Sequence, residues 1–136
     1  MMLLPIVTES LVLADNNVTK KVLILCRNAP YGTSTSREAI DVALAGAVFE
    51  QNISILFLDD GVYQLLNDQQ SDAIMQKNQT KLLDSLEMYD IEQLYAEYDS
   101  LENRGLHAEN IHSATTILDS TETSAFISSH QVILSY

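Results

Sequence analysis

Short continuous apolar runs alternate with amphipathic stretches along most of the chain. A run such as VLILC at residues 22–26 is typical of a strand buried on both faces, which favours a central place in a parallel sheet. Between such runs, apolar residues recur at helical spacing, as in residues 36–51, which predicts amphipathic helices. Strands are predicted at residues 22–26, 53–58, 91–98, 111–113 and 132–134, helices at 36–51, 82–90 and 119–129, and helical turns at 62–66 and 101–104.

This alternation of strand and helix predicts an α/β fold. We expect a three-layer α/β/α sandwich with a mostly parallel sheet of about five strands and helices on both faces. The length of 136 residues suits one domain. Residues 21–136 are predicted to form that domain, and residues 1–20 an N-terminal extension.

The composition narrows the classes of function. The chain carries 19 acidic residues against seven Lys and Arg, a net charge of −12, which argues against direct binding of nucleic acid. No apolar run approaches the roughly 20 residues that a membrane helix needs. A single cysteine, without a CxxC motif or a signal-peptide pattern, fits a reducing compartment. We therefore expect a cytoplasmic protein that needs no cofactor.

Cys26 is the only thiol, and two interpretations of it stay open. It ends a predicted strand, the position where α/β proteins place ligands, and the neighbouring Arg27 would favour a reactive thiolate. Alternatively, it is a small apolar residue that closes a buried strand, as free cysteines often are. The second interpretation is favoured.

The loop after this strand offers a second candidate site. Pro30, Tyr31, Gly32 and Thr33 precede a predicted helix, whose free N–H groups would suit an anion. The loop matches neither a P-loop nor GxGxxG, so a plain strand-to-helix turn is the alternative.

Other polar residues give weaker signals. Asp59 and Asp60 follow a predicted strand, where paired carboxylates serve acid–base chemistry or hold Mg²⁺, but such a pair more often caps a helix. His107, His112 and His130 lack the spacing of metal ligands, so no metal site is predicted.

Three tyrosines lie within ten residues of one another. Tyr89, Tyr95 and Tyr98 are either core residues or aromatic anchors at a protein interface, and the pattern alone does not separate these two roles.

Several segments together resemble one protein family. Ala29–Thr33 is similar to the AP-x-GT segment that opens DsrE/DsrF-type proteins after their first strand. Further segments resemble the TusC/DsrF branch of that family, and they follow one another in the same order: DDGVYQLL at 59–66, YDIEQL at 89–94, SLENRGL at 100–106 and VIL at 132–134.

The resemblance implies a role in sulfur transfer. In this family, DsrE/TusD-, DsrF/TusC- and DsrH/TusB-type chains form a heterohexamer that passes persulfide sulfur from a donor protein to an acceptor protein. The sulfur ends in the wobble 2-thiouridine of tRNA, or serves dissimilatory sulfur oxidation in related bacteria. The resemblance therefore implies DsrE/TusD- and DsrH/TusB-type partner subunits and a downstream acceptor protein. We expect the tRNA pathway for this chain.

The resemblance also bears on catalysis. Counting back from Arg104 and Gly105, the essential cysteine of DsrE/TusD-type chains falls on Glu97 in this sequence. A carboxylate cannot carry a persulfide, because thiol exchange needs a thiolate. We therefore expect a non-catalytic, structural subunit, and the alternative is that Cys26 itself carries the sulfur.

Overall fold

Five parallel strands form one sheet in a computed structural model that describes residues 20–30, 35–66 and 83–136. The strands are β1 (Lys21–Cys26), β2 (Asn52–Phe57), β3 (Leu94–Glu97), β4 (Thr115–Leu118) and β5 (Val132–Ser135). Their order across the sheet is β4-β3-β2-β1-β5, and every described pairing is parallel. β1 and β2 therefore lie in the interior of the sheet, as their continuous apolar runs predict.

Helices connect the strands on both sides of the sheet. They are α1 (Thr35–Val48), α2 (residues 83–88), α3 (Tyr98–Asn103) and α4 (Ser120–Ser128), with 3-10 helices at Asp59–Leu65 and Ala108–Asn110. The steps from β1 to β4 all move in one direction across the sheet, whereas the step from β4 to β5 returns past β1. Because such crossovers are right-handed, α4 lies on the face opposite to the other helices.

The two faces of the sheet bury unequal cores. On one face, Ile24 and Ile55 pack with Ile40 of α1 and Leu86 of α2 in a large apolar cluster. On the other face, a smaller cluster unites Leu23, Leu56 and Leu118 with partly buried residues that include Phe126 of α4. The predicted three-layer α/β/α sandwich with about five strands is confirmed.

Two predicted elements differ from the structure. The predicted strand at 111–113 is wrong, because Ile111 makes only an isolated bridge to Leu66 and the fourth strand is Thr115–Leu118. β4 is an edge strand with a half-exposed sequence, TTIL, so it lacks the continuous apolar run that marks the inner strands. α3 also begins earlier than predicted, at Tyr98.

Other predictions fall outside the described residues or concern single positions. The predicted N-terminal extension, apart from Lys20, lies outside the described residues. Gly105 has a φ of 68°, as expected of the residue just past a helix end. Among the described residues, no helix has the length and apolarity to cross a bilayer.

Candidate functional site

The carboxyl ends of the parallel strands meet at one edge of the sheet, where α/β folds place ligands. Cys26 ends β1, the Asp59–Leu65 helix follows β2, and Glu97 ends β3. The topology therefore collects Cys26, both aspartates and Glu97 at this edge, which we call the carboxyl edge.

Glu97 belongs to a hydrogen-bond network centred on Ser100. The Ser100 hydroxyl donates to the Glu97 carboxylate and accepts the backbone N–H of Asp59 at 2.8 Å. Ser100 is buried, and Glu97 is the residue just before α3, in an extended conformation. Because one hydroxyl satisfies both neighbours, the network joins the start of α3 to the turn after β2.

The two aspartates of that turn form ion pairs with different arginines. Nε of Arg27 lies 3.2 Å from Oδ2 of Asp59, whereas Arg104 reaches Oδ1 of Asp60 at 3.0 Å. Arg104 also donates to the backbone carbonyl of Ser100 at 3.1 Å. The two carboxylates thus face different partners rather than a shared ion. No group of three or more His, Cys, Asp or Glu in the described part of the chain is arranged to hold a metal.

The turn after β2 packs directly against the end of β1. The Leu58 N–H donates to the carbonyl of Cys26 at 3.1 Å, and a Cβ on Gly61 would lie 1.8 Å from that carbonyl oxygen. Buried Gln64 donates from Nε2 to the carbonyl of Asn28 at 2.8 Å, which ties down the first residues of the next loop. A side chain larger than hydrogen at position 61 has no room.

The environment of Cys26 does not suit a reactive thiol. Its side chain is 1% exposed and belongs to the larger core cluster. Desolvation by burial raises the pKa of the Cys26 thiol to about 12. Arg27 does not offset this, since its guanidinium turns to Asp59. The thiol is therefore protonated at neutral pH.

Only part of the candidate anion loop is described. Pro30 lies within the described residues, whereas Tyr31, Gly32 and Thr33 lie outside them. Anion binding at this loop stays a prediction.

The three candidate interface tyrosines lie in different surroundings. Tyr95 contacts Phe126 with tilted rings at a centroid distance of 4.3 Å and packs against the smaller core. Tyr89 is 51% exposed after α2, and Tyr98 is 49% exposed at the start of α3. Tyr89 and Tyr98 are thus more exposed than Tyr95, and an interface role for the three tyrosines stays a prediction.

The three histidines also have different surroundings. His107 precedes the Ala108–Asn110 helix, and Nδ1 of His112 accepts the N–H of Ala114 at 3.3 Å. His130 packs edge-on against Phe126, and burial lowers the pKa of its imidazole.

Several residues of the carboxyl edge escaped prediction from sequence. Gln64 lies in a predicted helical turn and Ser100 just before another, and the backbone groups of Asn28 and Asp59 that they bind are more than thirty positions away along the chain. Gly61 follows two aspartates in what reads as a common turn. Local periodicity carries no signal for contacts between residues so far apart in the chain.

Comparison with known proteins gives consistent results. A family model described as the DsrE/DsrF-like family matches residues 20–136. The chain is 44% identical over 96 residues to the intracellular sulfur oxidation protein DsrF of Allochromatium vinosum, covering 71% of each protein. It is 37% identical over 102 residues to a TusC homolog of Pseudomonas aeruginosa, covering 75% of this chain and 86% of that protein.

A second TusC homolog and a solved structure extend the likeness. The TusC homolog of Vibrio vulnificus is 34% identical over 112 residues, 82% of this chain and 95% of that protein. The crystal structure of the ychN protein from E. coli superposes with a TM-score of 0.72, covering 87% of this chain and all of that one. Its sequence identity is 18%, so this likeness shows the fold alone.

Proposed function

The chain belongs to the DsrE/DsrF-like family, and from that premise we propose that it is a non-catalytic subunit of a sulfur-relay complex. In such a complex, persulfide sulfur passes between proteins. This chain contributes assembly and shape, and the reacting thiols belong to its partners.

The burial of the only thiol carries this proposal. To accept sulfur, a thiolate must attack the outer sulfur of a donor persulfide, forming a new S–S bond while the donor leaves as a thiolate. Cys26 is the single cysteine among 136 residues, is 1% exposed, and has a pKa raised to about 12. It offers a donor protein neither access nor a thiolate, which weighs against the alternative in which Cys26 carries sulfur.

The surroundings of Glu97 support the same conclusion. By the resemblance described above, Glu97 stands where DsrE/TusD-type chains have their cysteine. Its carboxylate accepts the Ser100 hydroxyl, which in turn holds the turn at Asp59. The position is therefore used for internal packing, which suits a subunit whose family site no longer reacts.

The proposed partners are DsrE/TusD- and DsrH/TusB-type subunits, with a downstream acceptor protein, in the cytoplasm. We propose that the sulfur ends in the wobble 2-thiouridine of tRNA, in line with the relatives named TusC. The relative named for intracellular sulfur oxidation supports the other destination. Measuring tRNA 2-thiouridine in cells that lack this chain separates the two, since only the tRNA pathway predicts its loss.

The main experiment reconstitutes the complex from this chain and the DsrE- and DsrH-type chains of the same organism. Native mass spectrometry gives the stoichiometry, and transfer of labelled sulfur to the acceptor gives the activity. We expect the three chains in equal numbers, and an unchanged transfer rate when Cys26→Ala replaces the wild-type chain.

Two results would contradict the proposal. The first is a gain of one sulfur mass on this chain after incubation with a persulfide donor. The second is loss of transfer by an assembled Cys26→Ala complex. Replacing the partner's cysteine provides the positive control, since that change must stop transfer. The native mass distinguishes a variant that fails to assemble from one that assembles but does not transfer.

A further inference from the structure

A groove of about 380 Å³ lies between α3 and the edge strand β4. Its apolar floor includes Leu101 of α3, Leu106 from the segment after it, and Ile117 of β4. Leu101 is buried in the larger core cluster, and Leu106 and Ile117 pack against that cluster while partly exposed. At this groove, the larger core cluster therefore reaches the surface.

The topology explains why this part of the core is open. β4 is the last strand on its side of the sheet, and the chain then crosses to α4 on the opposite face. No later crossover among the described elements returns to cover Ile117. Tyr98 stands over the groove with 49% of its surface exposed. An aromatic ring beside an open apolar floor is the usual composition of a binding hot spot.

The charge around the groove is predominantly negative. From Tyr98 to Ile117 the chain carries three carboxylates (Asp99, Glu102 and Glu109) and a single Lys or Arg, which is Arg104. Arg104 is engaged with Asp60, and no described residue that lines the groove is Lys or Arg.

The neighbouring carboxylates also act on Tyr98. A hydrogen bond to Glu102 and the charges of Glu102 and Asp99 raise the pKa of its hydroxyl. Glu102 itself lines the groove, so a carboxylate lies within reach of anything that binds there.

We propose that this groove receives a segment of another protein chain, with an apolar side chain inserted between α3 and β4 and a Lys or Arg beside it that pairs with Glu102. The apolar floor selects the inserted side chain, and the acidic rim selects the neighbouring charge. The inference builds on the proposed function in one respect, because the other chain is taken to be a subunit of the relay complex.

Photo-crosslinking identifies the protein segment that binds in the groove. The photoreactive residue p-benzoylphenylalanine replaces Tyr98 in the full chain, which is expressed with its DsrE- and DsrH-type subunits, and mass spectrometry identifies the crosslinked peptide. We expect a peptide from one of those subunits with Lys or Arg next to the crosslinked apolar residue. The control places the same probe at Ser124, which is exposed on α4 on the opposite face of the sheet and should give no such peptide.

The results of this experiment distinguish a failure of the groove proposal from a failure of the proposed function. If the subunits co-purify but the probe at position 98 yields no crosslink to them, or an acidic peptide, the groove proposal fails and the proposed function stands. If no subunit co-purifies and no crosslink forms, both fail. A crosslink to a second copy of this chain also overturns the groove proposal.

A charge swap tests the pairing with Glu102. Glu102→Lys should weaken binding of the crosslinked partner roughly tenfold at low salt, and the effect should shrink at high salt. Asp41→Lys, the same charge change on α1, is the matched control and should leave affinity unchanged. Replacing the partner's basic residue by Glu should restore binding to the Glu102→Lys chain. Absence of that rescue, with both single changes harmful, would show that Glu102 does not pair with it.

Discussion

The Ser100 hydroxyl donates a hydrogen bond to the Glu97 carboxylate across the first turn of α3. The same hydroxyl accepts the N–H of Asp59, a residue with a φ of 51° in the left-handed region. Few non-glycine residues adopt that conformation, so the turn after β2 depends on contacts that hold it. Glu97 and Ser100 are thus part of the scaffold of the carboxyl edge.

Ser100→Ala should lower the free energy of unfolding by about 1–2 kcal/mol, because the Asp59 N–H and a Glu97 oxygen lose their partner at a partly buried site. Urea denaturation followed by circular dichroism measures the change. The control is Ser124→Ala, at an exposed position of α4, which should change stability by less than about 0.5 kcal/mol. Equal effects of the two substitutions would show that the network contributes nothing.

Gly61→Ala should prevent folding or destabilise the protein by about 3 kcal/mol or more, since the added Cβ would lie 1.8 Å from a backbone oxygen of β1. Gly105→Ala is the matched control. Its φ of 68° costs roughly 1–2 kcal/mol, but its Cβ would have no atom within 4 Å. Thermal unfolding ranks the two variants, and a milder effect at position 61 than at 105 would contradict the close approach.

Alkylation should reveal the protection of Cys26. With a pKa raised from 9.0 to about 12, the folded protein holds roughly a thousandfold less thiolate near neutral pH than the unfolded chain. Iodoacetamide labelling followed by mass spectrometry should therefore be at least that much slower in buffer than in urea. Labelling of the folded protein at the rate of the unfolded chain would mean that the thiol is accessible.

The same thiol predicts a pH dependence of stability. Because the folded-state pKa is raised, the contribution of Cys26 is fully present below about pH 9 and is lost as the pH rises towards about 12. Stability should fall in that window by up to roughly 1.4 kcal/mol per pH unit from this group. Urea midpoints measured across the window should fall more steeply for the wild type than for Cys26→Ala. Parallel curves would assign the alkaline loss to other groups.

The central strands and helix α4 were predictable from local sequence signals. β1 and β2 are buried on both faces, so nearly every position is apolar, and Asp119 with Glu122 forms a capping box at the start of α4. β4 was not, because an edge strand needs no such run and its TTIL sequence is half exposed. A continuous apolar run indicates that a strand is buried, so it does not identify a strand such as β4 that is only partly buried.

The candidate site was only partly predictable. Asp59 and Asp60 are neighbours in sequence, yet Arg27 from the end of β1 holds one and Arg104 from the end of α3 holds the other. Likewise, Tyr95 and Tyr98 are three positions apart, but one packs under α4 and the other stands over the groove. The distance between two residues along the chain does not determine on which face of the sheet their side chains lie or which residues they contact.

By itself, the sequence determined the α/β class, the family and the lack of a thiol at position 97, because each depends on residue type or local periodicity. The burial of Cys26 was the favoured of two interpretations of the sequence, whereas the Ser100 network and the groove beside β4 were decided by the tertiary structure alone. They depend on the strand order β4-β3-β2-β1-β5, which brings residues distant in the chain to one edge and leaves β4 at the margin. Strand order arises from long-range pairing, and local patterns of apolar and polar residues do not encode it.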